Sequence, residues 1–288
     1  MHIADLCNKK VTLSFEVFPP KNEIPLTGVL ETLSRLYGFK PDFISCTFGA
    51  GGSGRGRNIE VCSAVHQSGN LVMPHLTCIG SSRADISALV AEYVSLGFEN
   101  VLALRGDFPV GWEGSAGDFS YADELIGFLG ERFPQLCIAA AGYPEKHISA
   151  ASMEQDIVHL RSKQDKGARV IITQLCHDIA AFERFLEKIR SSGITIPVIA
   201  GIMPVLTIEP TMRMALFNGC SIPAELAAIM GKYQHDAESF AKAGMDYTAL
   251  QIQRYAKTGI NGLHLYTLNK WKQLTEILKN AGIKPGAE

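Results

Sequence analysis

The sequence lacks the features that mark metal-binding, nucleic-acid-binding and membrane proteins. Its seven cysteines are scattered and form no CxxC or CxxxC pair, so we expect no metal site built from the chain's own cysteines. A formal net charge of −2 disfavours a nucleic-acid partner, because such partners select basic clusters. No apolar run reaches membrane-spanning length, and the stretch 198–208 is broken by Pro204.

Two further absences bear on location. The first five residues lack the charged and then apolar order of a secretion signal. Scattered cysteines, odd in number, are typical of reduced thiols in the cytoplasm. We therefore expect a cytoplasmic protein without a membrane segment, and the sequence leaves open whether it forms a homo-oligomer.

Composition and length favour one large folded unit. Hydrophobic residues make up 47% of the 288 residues and charged residues 19%, which allows a large core and argues against disorder. Length alone suggests two domains, but α/β barrels commonly reach this size as one. The chain has no linker or low-complexity tract, and we predict that residues 1–288 form a single catalytic barrel domain.

Short apolar runs alternate along the chain with stretches that have the spacing of amphipathic helices. The runs are Leu13–Val17, Phe43–Thr47, Val72–Thr77, Val101–Leu104, Cys137–Tyr143, Val170–Gln174, Val198–Met203 and Leu263–Thr267. Eight such alternations predict an α/β fold, the (β/α)₈ TIM barrel. Because barrel active sites lie where the strands end, the polar residues at those ends are candidates for one pocket. They are Glu16, Thr47, His75, Asp107, Tyr143 and Gln174.

The interval before the last strand is longer than the others. Between Met203 and Leu263 there is room for the seventh barrel helix and one or two extra helices. Pro223 stands near the start of one of them, where proline is tolerated. We expect this insertion between strands 7 and 8 to shape or cover one side of the pocket. Earlier in the chain, Asp178 is a candidate N-cap for the helix that follows strand 6.

Glu16 is a carboxylate in the middle of the first predicted strand. It stands between Phe15 and Val17, and an unpaired buried charge is costly. In one interpretation Glu16 faces solvent or pairs with a helix lysine. In the other it is a general acid whose pKa is raised by apolar surroundings.

The segments after strands 2 and 3 also allow two interpretations each. The glycine-rich stretch 49–54 is neither a P-loop nor a GxGxxG motif, and it is either a simple loop or, with Arg55 and Arg57, a phosphate or carboxylate contact. His75 is either a hydrogen-bonded core residue or a neutral ligand of a cofactor. No second histidine or carboxylate is spaced to suggest a metal.

Strands 4 to 6 end in polar clusters. Arg105 and Asp107, two residues apart, either pair with each other or flank a ligand that approaches Gly106 closely. The loop after strand 5 offers an aromatic ring, a carboxylate, an ammonium and an imidazole, and a helix face with acidic and basic residues follows it. An amide at the end of strand 6 suits a ligand with donor and acceptor edges. These residues are Tyr143, Glu145, Lys146, His147, Asp156, His159, Lys163 and Gln174.

These segments together resemble the methylenetetrahydrofolate reductase family. The matching segments are in order and cover nearly the whole chain. They are Ser14–Glu16 with Phe18–Lys21, Pro74–Cys78, Ala103–Asp107, Gly142–Glu145 with His147, Ile172–Gln174, Gly201–Pro204 and Tyr266–Asn269.

The resemblance implies a TIM barrel with non-covalent FAD at the carboxyl ends of the strands. The flavin ligands that it implies are Thr47, His75, Leu104, Arg105, Gly106, Asp107, Tyr121, Ala122, Tyr143, His147, Asp156, His159 and Lys163. Reduced FAD then gives a hydride to 5,10-methylenetetrahydrofolate and yields 5-methyltetrahydrofolate, a step that serves methionine biosynthesis. Glu16 is implied as the acid, Asp107 as a flavin and folate ligand, and Gln174 as a pterin ligand. Met214 and Lys270 complete the implied substrate site.

The chain departs from the family pattern at several positions. Cys176 and His177 stand where many relatives have aromatic residues, Met214 replaces a phenylalanine, and Lys270 replaces an arginine. The resemblance implies that these changes fall where a nicotinamide cofactor and the folate tail would stack. The electron donor therefore has two alternatives, NADH or NADPH directly, or a partner electron-transfer subunit. A third hypothesis is a non-catalytic flavin- or folate-binding barrel, which the presence of Glu16 and Asp107 with an amide at position 174 disfavours.

Overall fold

The computed structural model describes residues 1–48, 55–107, 115 and 117–286. Eight parallel strands close into a barrel in which each strand pairs with its neighbours in chain order and β8 pairs with β1. The strands are β1 Thr12–Val17, β2 Phe43–Cys46, β3 Val72–Thr77, β4 Asn100–Leu104, β5 Cys137–Gly142, β6 Ala168–Thr173, β7 Val198–Ile202 and β8 Gly262–Tyr266. The predicted (β/α)₈ barrel is confirmed, and each strand lies within two residues of its predicted limits.

Helices follow the strands and cover the outside of the barrel. They are α1 Ile3–Cys7, α2 Thr27–Tyr37, α3 Arg55–Gln67, α4 Arg83–Ser95, α5 Ala122–Arg132, α6 Met153–Asp165, α7 Ile179–Ser191, α8 Ile208–Asn218, α9 Ala224–Lys232, α10 Ala237–Tyr255 and α11 Trp271–Asn280. Among the described residues, no helix combines the length and apolar character needed to cross a bilayer.

Successive side chains of each strand point to opposite faces of the barrel wall, and this gives the protein two separate hydrophobic cores. In β1, Phe15 and Val17 face the outer core between strands and helices, whereas Ser14 and Glu16 face the barrel interior. A smaller inner core fills the lower barrel, and Ile3 and Cys7 of α1 close it from below. This filling leaves the carboxyl ends of the strands as the place where a cavity remains.

The helix predictions agree with the structure. The Asp178 side chain accepts hydrogen bonds from the amides of Ala180 and Ala181, as an N-cap does. The insertion before β8 consists of α8 and α9, while α10 packs against α7, β7 and α11 as the seventh barrel helix. Pro223 is the residue just before α9 rather than inside its first turn.

Candidate functional site

A cavity of about 310 Å³ lies at the carboxyl ends of the strands. All six polar strand-end candidates contribute to its wall, although they come from six different strands or the loops that follow them. The lining residues are Glu16, Thr47, His75, Leu102, Leu104, Arg105, Gly106, Asp107, Ala141, Tyr143, His147, Ile172, Thr173, Gln174, Met203, Met214 and Tyr266. The cavity therefore brings acidic, basic, amide and aromatic groups to one place.

Glu16 points into the barrel between two histidines. Its Oε2 atom lies 3.4 Å from Nε2 of His75 and 3.8 Å from Nε2 of His264. Its side chain retains 21% exposure, whereas that of His264 is fully buried. The alternative in which Glu16 faces solvent or a helix lysine is therefore wrong.

The two histidines reverse the expected shift in the pKa of Glu16. Burial acts to raise this pKa, but the contact with His264 and the charges of His75 and His264 lower it below the ordinary value for glutamate. The sequence-based expectation of a raised pKa is thus wrong for the free chain, because it considered only the apolar neighbours in β1. In the same cluster, burial lowers the pKa of His75 more than Glu16 raises it, which favours the neutral imidazole.

The hydrogen bonds of His264 define its tautomer. The Ser14 hydroxyl donates to the carbonyl of Leu263 over 3.0 Å, so its oxygen accepts from Nδ1–H of His264 at 2.8 Å. Nε2 of His264 then faces the Ser45 hydroxyl at 3.2 Å and the carboxylate of Glu16. Phe43 stacks on the imidazole with a centroid distance of 5.6 Å and keeps the ring in place.

Sequence reasoning missed His264, Ser14 and Ser45. The available signal was a histidine between Leu263 and Leu265, which alternation places on the inner face of the last strand. Only closure of the barrel puts His264 in register with Ser14, because β8 and β1 lie at opposite ends of the chain.

The strand-4 cluster forms one edge of the cavity. Gly106 has φ of +85°, a conformation that side chains with a Cβ rarely adopt, and an added Cβ would lie 3.0 Å from Thr77. Nη2 of Arg105 is 3.9 Å from Oδ1 of Asp107, whose side chain is fully exposed. Nε of Arg105 donates to the carbonyl of Gly106 over 3.0 Å. The Arg105–Asp107 pair therefore exists and borders the cavity, and the approach of a ligand to Gly106 stays a prediction.

Behind the wall formed by Tyr143, charged groups order the loop after β5. The ring of Tyr143 meets that of His147 edge-on at 4.6 Å. The amide of His147 donates to Asp156 over 2.8 Å, and Nζ of Lys163 donates to the carbonyl of Ala141 over 2.9 Å. Burial raises the pKa of Tyr143 to about 12, so its phenol stays protonated as a donor.

Gln174 and Met214 border the cavity from the β6 and α8 sides. The amide of Leu175 donates to Oε1 of Gln174 over 2.8 Å, so this oxygen already has a protein partner. That oxygen keeps a second lone pair, so Gln174 can still present both a donor and an acceptor, and its role as a ligand stays a prediction.

Several expected ligands lie outside the cavity wall. Tyr121 is 61% exposed and Ala122 begins α5, while His159 and Lys270 are exposed on α6 and before α11. Asp156 and Lys163 stand behind Tyr143 and do not line the main cavity. The stretch 49–54 and the side chain of Arg55 lie outside the described residues.

Two of the departures from the family pattern also face away from the cavity. The thiol of Cys176 contacts Glu145 at 3.5 Å and the carbonyl of Asp178 at 3.2 Å. The ring of His177 is buried against Tyr247 at 6.3 Å. The expectation that these two positions alter a stacking surface is therefore wrong, and Met214 is the departure that borders the cavity.

The donor set suits an organic cofactor better than a metal. In the described part of the chain, no three His, Cys, Asp or Glu side chains are grouped to hold a metal ion. By contrast, Nε2 of His75 is buried at the cavity wall, and its contact with the Glu16 carboxylate at 3.4 Å lacks hydrogen-bond geometry in the described part of the chain. A buried nitrogen without a hydrogen bond points to a ligand that supplies one.

Comparison with known proteins identifies the family. The family model for Methylenetetrahydrofolate reductase matches residues 2–282. The chain is 31% identical to 5,10-methylenetetrahydrofolate reductase of Salmonella typhimurium over 96% of its own length and 93% of the relative. It is 34% identical to Methylenetetrahydrofolate reductase (NADH) 1 of Arabidopsis thaliana over 95% of its own length and 49% of that protein.

A solved structure agrees with the fold. A Clostridium thermocellum protein that binds two copies of 5-methyl-5,6,7,8-tetrahydrofolic acid superposes with a TM-score of 0.66. Its identity is 13% over 96% of both chains, so the likeness concerns the fold alone. The family model and the Salmonella relative go further, and the chain belongs to the methylenetetrahydrofolate reductase family.

Proposed function

We propose that this chain, a flavoprotein oxidoreductase with methylenetetrahydrofolate reductase activity, uses FAD and the Glu16 cluster to convert 5,10-methylenetetrahydrofolate to 5-methyltetrahydrofolate. The observation that carries the proposal is the placement of Glu16 at the cavity wall between His75 and His264. A carboxylate between two imidazoles, next to a cavity with a free amide donor, suits proton delivery to a bound heterocycle.

The residues around the cavity fit FAD. His75 offers a ring nitrogen that makes no hydrogen bond to a described residue, and Gly106 allows close approach of a ligand to the backbone. The residues proposed to hold the cofactor from the cavity wall are Thr47, His75, Leu104, Arg105, Gly106, Asp107, Tyr143 and His147. Asp156 and Lys163 support Tyr143 and His147 from behind, and Tyr121, Ala122 and His159 stay proposals without a contact to the wall. When bound, FAD supplies the hydride, and the protein supplies position and electrostatics.

Glu16 is proposed as the acid that protonates the folate and opens its imidazolidine ring. In the free chain its lowered pKa keeps it ionised at neutral pH. Bound ligands that cover the exposed part of Glu16 act to raise its pKa, because further burial favours the neutral carboxyl. Proton donation is therefore confined to the fully loaded site.

His264 is proposed to hold the proton that Glu16 uses. Its Nδ1–H is fixed by Ser14, so Nε2 is the ring nitrogen that faces Glu16. Ser45 keeps this nitrogen oriented from the neighbouring strand. Each transfer consumes one proton, which solvent can replace through the exposed part of the Glu16 side chain before the next ligands bind.

Asp107 and Gln174 are proposed to bind the pterin, and Asp107 also to adjust the flavin. A carboxylate near the cofactor disfavours added negative charge, so Asp107→Asn should raise the flavin midpoint potential. An unchanged potential, with FAD bound and folate affinity intact, would remove Asp107 from the site. Lys270 is exposed beyond the wall and is proposed to meet the outer end of the folate.

The electron donor follows from Met214. The name of the Arabidopsis relative specifies NADH, but Met214 stands where the family's aromatic residue would stack. We propose that NADH or NADPH reduces this chain slowly, and that a partner electron-transfer subunit is the faster donor. A cytoplasmic location is proposed as well, since all seven cysteines are free thiols.

The test is anaerobic turnover of the purified chain loaded with FAD. Three arms supply NADH, NADPH or a reduced dye, and 5-methyltetrahydrofolate is measured by mass spectrometry. Product in the dye arm is expected and supports the catalytic proposal, while its rate relative to the nucleotide arms tests the donor. A yellow protein that forms no product in any arm would instead support a non-catalytic flavin barrel.

A further inference from the structure

Helix α8 borders the cavity but has little apolar packing of its own. Met214 lines the cavity, and the residues that α8 buries are Thr211 and Ala215. The larger apolar side chains of Leu216 and Phe217 are 75% and 66% exposed. Because buried apolar area is the main source of packing stability, such a helix depends on the contacts at its ends.

The N-terminal end of α8 is fixed against α10. The amide of Val205 donates to the Thr248 hydroxyl over 3.0 Å. The backbones of α10 and of the segment before α8 are so close at this point that a Cβ on Gly244 would lie 2.2 Å from the carbonyl oxygen of Val205. This end of the insertion therefore has little freedom to move.

The C-terminal end of α8 is held by polar contacts instead. Helix α8 ends at Gly219, which is left-handed with φ of +65°. The next two residues turn back to the barrel. The thiol of Cys220 donates to the carbonyl of Leu175 over 3.1 Å, and both the amide and the hydroxyl of Ser221 donate to Oε1 of Glu145.

One carboxylate thus joins three loops. Glu145 belongs to the loop after β5, its Oε1 binds Ser221 at the end of α8, and its Oε2 accepts from the thiol of Cys176 after β6 at 3.5 Å. The Ser221 amide to Glu145 distance is 3.0 Å. Hydrogen bonds to an ionised acceptor are stronger than neutral ones, so this is the firmest contact at that end of α8.

The residue whose carbonyl accepts from Cys220 also contacts Gln174 through its amide. Leu175 donates its amide to Oε1 of Gln174 and accepts the Cys220 thiol at its carbonyl. Displacement of the α8 end therefore disturbs Gln174 as well as Met214. Both line the cavity.

We infer that Glu145 is a positioning residue for the substrate side of the cavity: it holds the end of α8 so that Met214 and Gln174 meet the folate. This rests on the proposed function. Loss of the carboxylate releases α8 without touching the residues proposed to hold FAD or the Glu16 cluster. The expected signature is weaker folate binding with the proton-transfer chemistry intact.

The experiment compares Glu145→Ala, Glu145→Gln and Ser221→Ala with the FAD-loaded parent chain. Glu145→Ala should raise KM for methylenetetrahydrofolate by about tenfold, the scale of one strong hydrogen bond, with kcat changed by less than about twofold. Glu145→Gln keeps an oxygen that accepts from Ser221 and should recover most of the loss. Ser221→Ala keeps its backbone donor and should give a smaller increase. Glu154 is an exposed carboxylate on α6 that pairs with Lys188, and it provides the matched control. Glu154→Ala should leave KM for methylenetetrahydrofolate unchanged.

Two further readouts separate positioning from a general structural defect. The flavin absorbance and the rate of flavin reduction by dithionite should equal those of the parent. The double variant Glu145→Ala with Ser221→Ala should be no worse than Glu145→Ala alone, because the two residues share one contact. An unchanged KM in Glu145→Ala, additive losses, or equal loss of FAD and of both half-reactions would overturn the inference.

Equilibrium binding keeps the inference testable apart from the proposed function. The Kd of 5-methyltetrahydrofolate, measured by dialysis, should rise in Glu145→Ala by the same factor as KM. If the parent binds this folate but does not turn over, the catalytic proposal fails and the positioning role is still decided by the Kd. If the parent turns over and the Kd of Glu145→Ala equals that of the parent, the positioning role alone fails.

Discussion

The protonation of Glu16 is set by residues from other strands. Its sequence neighbours Phe15 and Val17 point to the outer core, while His75 and His264 approach its carboxylate from β3 and β8. Local sequence therefore gives the wrong sign for its pKa. At this scale the acid is better described as a carboxylate flanked by two imidazoles than as one isolated group.

Glu16→Gln should separate the two half-reactions. The amide keeps shape and hydrogen bonding but cannot donate the proton, so reoxidation of reduced flavin by methylenetetrahydrofolate should slow by ~10²-fold or more. Flavin reduction by its donor should be unchanged. Rapid-mixing absorbance measures both steps.

The controls for this prediction use His264 and Glu154. His264→Asn should slow the same folate step while leaving flavin reduction alone, because it removes the proton held next to Glu16. Glu154→Gln, on the exposed face of α6, should change neither step. Equal loss in both half-reactions of Glu16→Gln contradicts the proposed role.

At the scale of elements, α8 carries Met214, at which the resemblance implies an aromatic residue in the family. Met214 meets the cavity, whereas Met212 on the same helix is 54% exposed. An aromatic ring at position 214 could stack on a nicotinamide, and offset stacking contributes about 1 kcal/mol beyond buried area. Methionine fills the space with less defined geometry.

Met214→Phe should therefore speed flavin reduction by NADH or NADPH at low nucleotide, by roughly fivefold from that stacking energy. Stopped-flow bleaching of the flavin measures the rate, and FAD content should stay constant. Met212→Phe is the matched control on the outer face of α8 and should have no effect. Rapid bleaching of the parent chain by micromolar nucleotide would show that Met214 does not limit donor use.

The sequence pattern was sufficient to predict the strands and helices, but it predicted the residues of the candidate site only in part. Period and spacing define the eight strands, the Asp178 cap and the insertion, because these depend on local burial and hydrogen bonding. Glu16 and His75 were found because each stands near the end of a strand. His264 was not, since its role depends on pairing of β8 with β1. Likewise, the inward position of Met214 and the outward position of Cys176 depend on loop packing that no period encodes.

For the whole molecule, closure of the barrel buries ionisable groups far from the cavity, and this links stability to pH. His177 is buried, and burial lowers its pKa to about 4. An unfolded histidine titrates near 6.5. Between these values the unfolded chain binds a proton that the folded chain does not, so stability should fall as pH decreases from about 6.5 to about 4.

Replacement of His177 tests this dependence. At pH 5 the unfavourable term amounts to about 2 kcal/mol relative to pH 7. In His177→Gln the difference in unfolding free energy between pH 7 and pH 5 should shrink by about that amount, as measured by urea unfolding. His235→Gln, at an exposed position, should leave the difference unchanged. If both variants retain the full acid sensitivity, other buried groups such as His75 account for it.

That residues 1–288 act as one catalytic domain stays a prediction, and so does the cytoplasmic location. What the fold does define is a single closed barrel whose strand ends bring Glu16, His75 and Gln174 to one cavity. The family assignment and this cavity together lead to one central claim, that bound FAD reduces methylenetetrahydrofolate here with a proton from Glu16.

The most direct test is a single turnover without any external donor. The FAD-loaded chain is photoreduced under anaerobic conditions and mixed with 5,10-methylenetetrahydrofolate while the flavin absorbance is followed. The account predicts reoxidation of the flavin with one 5-methyltetrahydrofolate formed per flavin. A flavin that stays reduced in the presence of saturating methylenetetrahydrofolate would contradict it.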